Sequence, residues 1–250
     1  MANASLLPDD WGVPLTFRLR LGTRVGRQRM MTAEGHLLLI LHAPPELHQE
    51  TRAGRFFWRL PDGTWKHHSP AGSGVAMADH LNEYENHIDL LDKKEQKAQS
   101  SKDYFAVLEA MAPILRATRN MEKVLQEARR EIAAARELID FRDRAYQLDR
   151  TAELLVTGAK HALDFKMAQQ AEEQSRASEQ MAQSAHRLNV LAAFFFPLAT
   201  ISGLFGMDIR TGIGDLSPPV VFIGVLVVGL ILGGVLTQYV RVPGNHRSKD

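Results

Sequence analysis

Cysteine is absent, which removes disulfide frameworks, thiol nucleophiles and cysteine-ligated zinc sites from consideration. An excess of charge of either sign is missing as well. The formal net charge is +1, far from the basic surplus that nucleic-acid binding requires, so nucleic acid is not expected as a partner. Met1 to Pro14 lacks a basic segment followed by an apolar one, and no signal peptide is expected. No phosphate-binding glycine loop, Ser/His/Asp signature or dinucleotide-binding glycine pattern occurs, so the chain does not read as an enzyme and no cofactor is expected. Between positions 76 and 187, glycine occurs only at Gly158 and proline only at Pro113. Long helices are therefore expected there.

The most informative deficiency is local. Positions 188–207 carry no Asp, Glu, Lys or Arg, and neither do positions 216–240. A helix crosses the hydrocarbon core with roughly 20 apolar residues, and both runs are that long. The short connection between them holds Asp208, Arg210 and Asp215, enough for a turn but not for a domain. Two spans so joined form a transmembrane hairpin. The basic residues after the second run, Arg241, Arg247 and Lys249, belong on the cytoplasmic side. Both termini are then cytoplasmic, in a multi-pass protein of the inner (plasma) membrane.

Before the hairpin the chain divides in two. Positions 1–75 read as a β-rich cytoplasmic subdomain. Leu15–Leu21 alternates apolar and polar residues like a half-buried strand, His36–His42 suits a more buried one, and Arg55–Leu60 is a third. Pro61-Asp62-Gly63 is a turn signal leading into Thr64-Trp65-Lys66. Positions 76–140 read as cytoplasmic helices, rich in Ala, Glu, Lys, Arg, Gln and Leu. Pro113 is expected in the first turn of one of them. Leu115, Thr118, Met121, Leu125, Ala128, Ile132, Ala135 and Ile139 recur in steps of three and four, and so do Leu148, Ala152, Leu155, Ala159 and Ala162. Such steps define packed helical seams. A stalk helix is expected over 141–186, running on into the first span (187–207). From Asp143 to Gly206 it would measure roughly 95 Å at 1.5 Å per residue; a break within Gln174–Ser184 is the alternative. An outer loop (208–217), a second span (218–240) and a basic cytoplasmic tail (241–250) complete the reading. The fold class is α+β: a small antiparallel sheet and long helices, with a stalk entering a two-helix membrane hairpin.

The run from Asn189 to Asp208, NVLAAFFFPLATISGLFGMD, resembles the first transmembrane helix of CorA-type divalent-cation transporters, the two-transmembrane GxN superfamily. Pro197, Gly203, Gly206 and Met207 match that helix in place and spacing. Asp208 stands where the family has Asn, giving GMD for GMN. The acidic stretch that often follows in the family is replaced here by Ile209 to Pro219. The clear similarity covers about the last 65 residues.

The resemblance implies a funnel-shaped homopentamer in the lipid bilayer, conducting divalent cations through an axial pore lined by the first span. Mg²⁺ is the expected ion, with Zn²⁺, Co²⁺ or Ni²⁺ as further candidates. The implied selectivity signature is Gly206, Met207 and Asp208, with Asp208 as the metal-contacting residue. The implied pore line is Ala185, Leu188, Ala192, Phe196, Ala199 and Gly203, continuing downwards through Ala182. Small residues at helical spacing also suit a close helix–helix seam, and Asp208 also suits a loop carboxylate facing water. A non-conducting, membrane-anchored helical scaffold and a zinc/proton transporter are the competing functions. The histidines lack ligand geometry: His67 and His68 are adjacent on a strand, so their side chains point to opposite faces. His80 and His87 share a helix, and His186 belongs at the membrane boundary.

Overall fold

The computed structural model describes residues 6–45, 52–70, 72, 74–206 and 218–241; the side chains of 198, 202, 204–206, 218–222, 225 and 239–241 are excepted. The chain divides into two compact units, residues 1–168 and 169–250.

The first unit is built on a four-stranded antiparallel meander. Its strands are β1 (Arg29–Ala33), β2 (His36–His42), β3 (Gly54–Arg59) and β4 (Trp65–His68), in sequence order across the sheet. Glu34 and Gly35 join β1 to β2 with φ values of 55° and 79°, the left-handed pair that a tight two-residue hairpin requires. At the next turn but one, Gly63 has φ 91° and the Asp62 carboxylate accepts the Thr64 N–H at 2.9 Å. The run Leu37 to Leu41 is fully buried because the sheet is covered on both faces. Leu37, Leu39, Leu41 and Phe57 join the helices in the main core. Leu38, Ile40, Phe56 and Trp58 pack with Leu7, Trp11 and Phe17 from the N-terminal segment.

That segment holds a correction. Leu15–Arg20, expected as a strand, is a short helix, α1. Only Phe17 is buried in it, while Leu15 and Leu19 are 68% and 76% exposed, so the period-two apolar pattern has no sheet face to serve. Pro14 precedes the helix, and the Arg18 guanidinium donates to the carbonyls of Pro8 (2.7 Å) and Trp11 (3.0 Å), folding the segment back on itself. The strand that takes its place in the sheet is β1.

Three helices cover the inner face. In α2 (Met77–Gln96), Met77, His80, Leu81, Tyr84, Ile88 and Leu91 form the buried stripe. Helix α3 (Ser101–Glu131) starts at a capping box: the Asp103 N–H donates to the Ser100 hydroxyl (3.2 Å) and the Ser100 N–H to the Asp103 carboxylate (2.9 Å). Pro113 therefore lies inside α3 rather than in its first turn. The Ser100–Asp103 cap begins the helix earlier, and the proline only deprives the Glu109 carbonyl of its helical donor. The seam drawn through Ile132 to Ile139 is also interrupted. The chain turns at 132–136 before α4 (Glu137–Gly206), because α4 must double back along α3. Thr118 donates to Asp149 at 3.3 Å, and Arg119 lies 3.6 Å from Glu153. Leu138, Ala145, Leu148, Ala152, Leu155 and Ala159 then complete the core. Helix α4 continues without a break into the second unit, which also holds α5 (Pro218–Arg241).

Candidate functional site

The upper part of α4 sorts its residues onto two faces. Val190, Ala193, Phe194, Pro197 and Ile201 are half-buried, at steps of three and four. Leu188, Ala192, Phe196, Ala199 and Gly203 are exposed, Leu188 by 66% and Phe196 by 74%. Helical geometry explains the split, since residues three or four apart share a face. The residues expected to line a pore thus lie on one face that is left uncovered among the described residues. Ala182 and Ala185 are exposed too, but so is every residue from 171 to 189.

The half-buried face meets α5. On α5, Gly229 and Gly233 are buried and Thr237 is half-buried, a small-residue seam with a four-residue step. A Cβ placed on Gly233 would lie 2.9 Å from the Phe194 carbonyl oxygen and 3.2 Å from its ring. Only glycine permits this approach. Close packing through small residues is how helices associate where lipid removes the hydrophobic drive. The spacing Gly229-x-x-x-Gly233 was available in the sequence; its partner on α4 was not.

The rest of α5 is apolar on nearly every side. Ile223, Val227, Val228, Ile231 and Val235 are 47–60% exposed. A helix that is apolar all round is one whose surroundings are apolar. Among the described residues, no helix is long and apolar enough to cross a membrane; the runs 188–207 and 216–240 both extend beyond the described side chains. Pro197 sits inside α4 and leaves the Ala193 carbonyl without its helical donor. Thr200 donates to the Phe196 carbonyl at 2.8 Å in the same turn. Gly206 ends α4, whereas Met207 and Asp208 lie outside the described residues.

Among the described histidines, His80, His87 and His68 make packing or hydrogen-bond contacts within the first unit. His80 is fully buried; its Nδ1 accepts from Arg55 at 2.9 Å, and Arg55 also binds Glu83 at 2.7 Å. His87 Nδ1 bonds the Glu83 carbonyl (2.9 Å). His68 packs at a tilt against Phe56 and edge-on against Trp11, while His67 is exposed. Among the described residues, no group of three His, Asp or Glu side chains could hold a metal ion.

Comparison with known proteins settles the family. The description "CorA-like Mg2+ transporter protein" matches residues 75–241. The chain belongs to that family. It is a family of transporters and not of enzymes, and the match runs from the start of α2 to the end of α5. Among solved structures, this CorA-like chain is similar to the full-length CmaX protein. The TM-score is 0.50 at 16% identity over 91% of this chain and 83% of that one, a likeness of fold. The CorA magnesium transporter from Methanocaldococcus jannaschii is similar at 14% identity over 88% of this chain and 82% of that one, with a TM-score of 0.35. Curated proteins give no match.

Proposed function

We propose that this chain is one subunit of a homopentameric membrane channel that carries Mg²⁺ down its electrochemical gradient, with Zn²⁺, Co²⁺ or Ni²⁺ as further substrates. The observation that carries this reading is the uncovered face Leu188, Ala192, Phe196, Ala199 and Gly203, leading to the signature Gly206-Met207-Asp208. Two spans cannot enclose an aqueous path by themselves, so conduction requires several copies of that face around an axis. Helix α5 then packs outside α4 through Gly229 and Gly233, its remaining apolar surface towards lipid. Both termini lie on the cytoplasmic side. Leu188 and Phe196, as the bulky members of the line, narrow the path and gate it by excluding water.

Asp208 shapes selectivity. Amide oxygens suit a hydrated Mg²⁺, which gives up its waters reluctantly. A ring of carboxylates is harder: neighbours ~7 Å apart in water repel by roughly 0.6 kcal/mol, and a divalent cation relieves that repulsion. The ring still gathers cations but discriminates among them less. Substitution tests this. Asp208→Ala lowers divalent flux with assembly intact, and Asp208→Asn retains flux while shifting preference towards Mg²⁺. Wild-type flux and selectivity in Asp208→Ala would show that the carboxylate is not at the selectivity site.

A further inference from the structure

The first unit carries two surfaces of opposite charge on opposite sides of its sheet. Positions 11–33 hold Arg18, Arg20, Arg24, Arg27 and Arg29 and no Asp, Glu or Lys. Positions 77–92 hold Asp79, Glu83, Glu85, Asp89 and Asp92 and no Lys or Arg. The basic run includes α1, whose Phe17 packs with Leu38, Ile40, Phe56 and Trp58 on the outer face of the sheet. The acidic run is most of α2, whose Met77, Leu81 and Tyr84 pack with Leu37, Leu39 and Phe57 on the inner face. The sheet stands between them, and among the described residues no ion pair links the two runs.

Each surface sets exposed leucine beside exposed charge. On α1, Leu15 and Leu19 lie one turn apart and are 68% and 76% exposed, with Arg20 exposed next to them. On α2, Asp79, Asn82, Asn86, Asp89 and Leu90 make the outward stripe, and Leu90 is 53% exposed. Among the described residues no ion pair involves Arg20, Asp79 or Asp89, whereas Glu83 and Glu85 are already held by Arg55 and Arg144. Arg29 donates to the Val25 and Arg27 carbonyls, which fixes the side chain without neutralising its charge. Apolar side chains exposed together with unpaired charge suit a protein partner. Charge of opposite sign orients such a contact, and the leucines leave water in it.

We propose that α1 of one copy docks on the outward stripe of α2 in a second copy, with Leu15 and Leu19 against Leu90 and Arg20 against Asp89. The occupant is a second copy because the same chain supplies both complementary surfaces and holds them apart on the two sides of its sheet. A contact between two different surfaces runs head to tail, and repeated about an axis it closes a ring. The inference rests on the homopentamer reading and adds the surfaces through which neighbouring first units meet.

The test exploits the absence of cysteine. Leu19→Cys and Leu90→Cys, both at exposed positions, are introduced singly and together into the full chain, which is treated with a short bis-maleimide in mild detergent. The doubly substituted chain is expected to give a ladder of covalent multimers ending at the pentamer. Each single variant is expected to stay monomeric, because position 19 meets position 90 and not itself. Arg20→Glu should lower the cross-linked fraction about fivefold, the worth of roughly 1 kcal/mol of surface charge pairing, and adding Asp89→Arg should restore it. A ladder indifferent to Arg20→Glu overturns the charge match, and dimers from a single variant overturn the head-to-tail contact. Native mass is measured on the same samples. A pentamer without the ladder overturns this contact and leaves the pentamer standing, whereas a monomer removes both. If the Leu19→Cys thiol is shielded from maleimide only in vesicles of anionic lipid, a lipid surface covers α1 and the proposal falls.

Discussion

Replacing His80 with Leu should make the first unit markedly less sensitive to acid. His80 is fully buried between Phe57 and Tyr84, each ring centroid 5.3 Å away. Its Nδ1 is occupied by Arg55, and its Nε2 has no partner. Burial, and then the charges of Arg55 and His42, push its pKa down from 6.5 to about 3. Below pH 6.5 the unfolded chain takes up a proton on this ring that the folded chain refuses until near pH 3. The unfolded state therefore binds more protons in that window, and stability drops by up to about 1.4 kcal/mol for each unit by which the pH is lowered. The contribution is fully present above pH 6.5. From pH 7 to pH 5 the loss is about 2 kcal/mol, roughly a thirtyfold change in the folding equilibrium. Trp11, Trp58 and Trp65, the only tryptophans of the chain, all lie in this unit, so urea unfolding followed by tryptophan fluorescence reports on it alone. Wild type should lose about 2 kcal/mol more than His80→Leu between the two pH values. His42, also held low by burial, contributes equally to both proteins and cancels. An identical loss in the two would refute the reasoning.

Three further outcomes follow from the packing. Gly233→Leu should force α5 off α4, because even a Cβ there sits 2.9 Å from the Phe194 carbonyl; cross-linking between cysteines placed on the two helices should fall, and undiminished cross-linking would contradict the seam. Ser100→Ala removes the α3 cap and should cost about 1 kcal/mol, read from the urea midpoint, with an unchanged midpoint counting against it. Native mass spectrometry in mild detergent should give a pentamer, and a monomer or dimer would argue strongly against a pore.

The sequence was most legible where one physical demand dominated. His36–His42 had no polar face to turn to solvent, and it became the strand with both faces covered. The seams from Leu115 to Ala128 and from Leu148 to Ala159 follow helical spacing and bury as cores do. Reading failed where tertiary contacts outweighed local pattern. Leu15, Phe17, Leu19 and Leu21 alternate as a strand would, yet the Arg18 bonds to Pro8 and Trp11 draw the segment into a helix. The turn at 132–136 passes through Ile132-Ala133-Ala134, which contains no breaker; the need to return along α3 makes it. Arg29–Ala33 was not read as a strand, and the Glu34-Gly35 turn that joins it to β2 went unread with it. In the candidate site, the GMD run was singled out by its resemblance to the family's GMN, and the pore line by that resemblance together with helical spacing. The α4–α5 seam needed the structure, since one glycine's crowding against Phe194 depends on two segments meeting.

Ion-resolved flux into proteoliposomes tests the central claim most directly. Reconstituted wild-type protein should admit Mg²⁺ down an imposed gradient without any pH gradient, and Asp208→Ala should admit much less at the same protein density and oligomer mass. Liposomes that stay impermeable to Mg²⁺, Zn²⁺, Co²⁺ and Ni²⁺ alike, with intact pentamers in the membrane, would contradict it and leave a membrane-anchored scaffold.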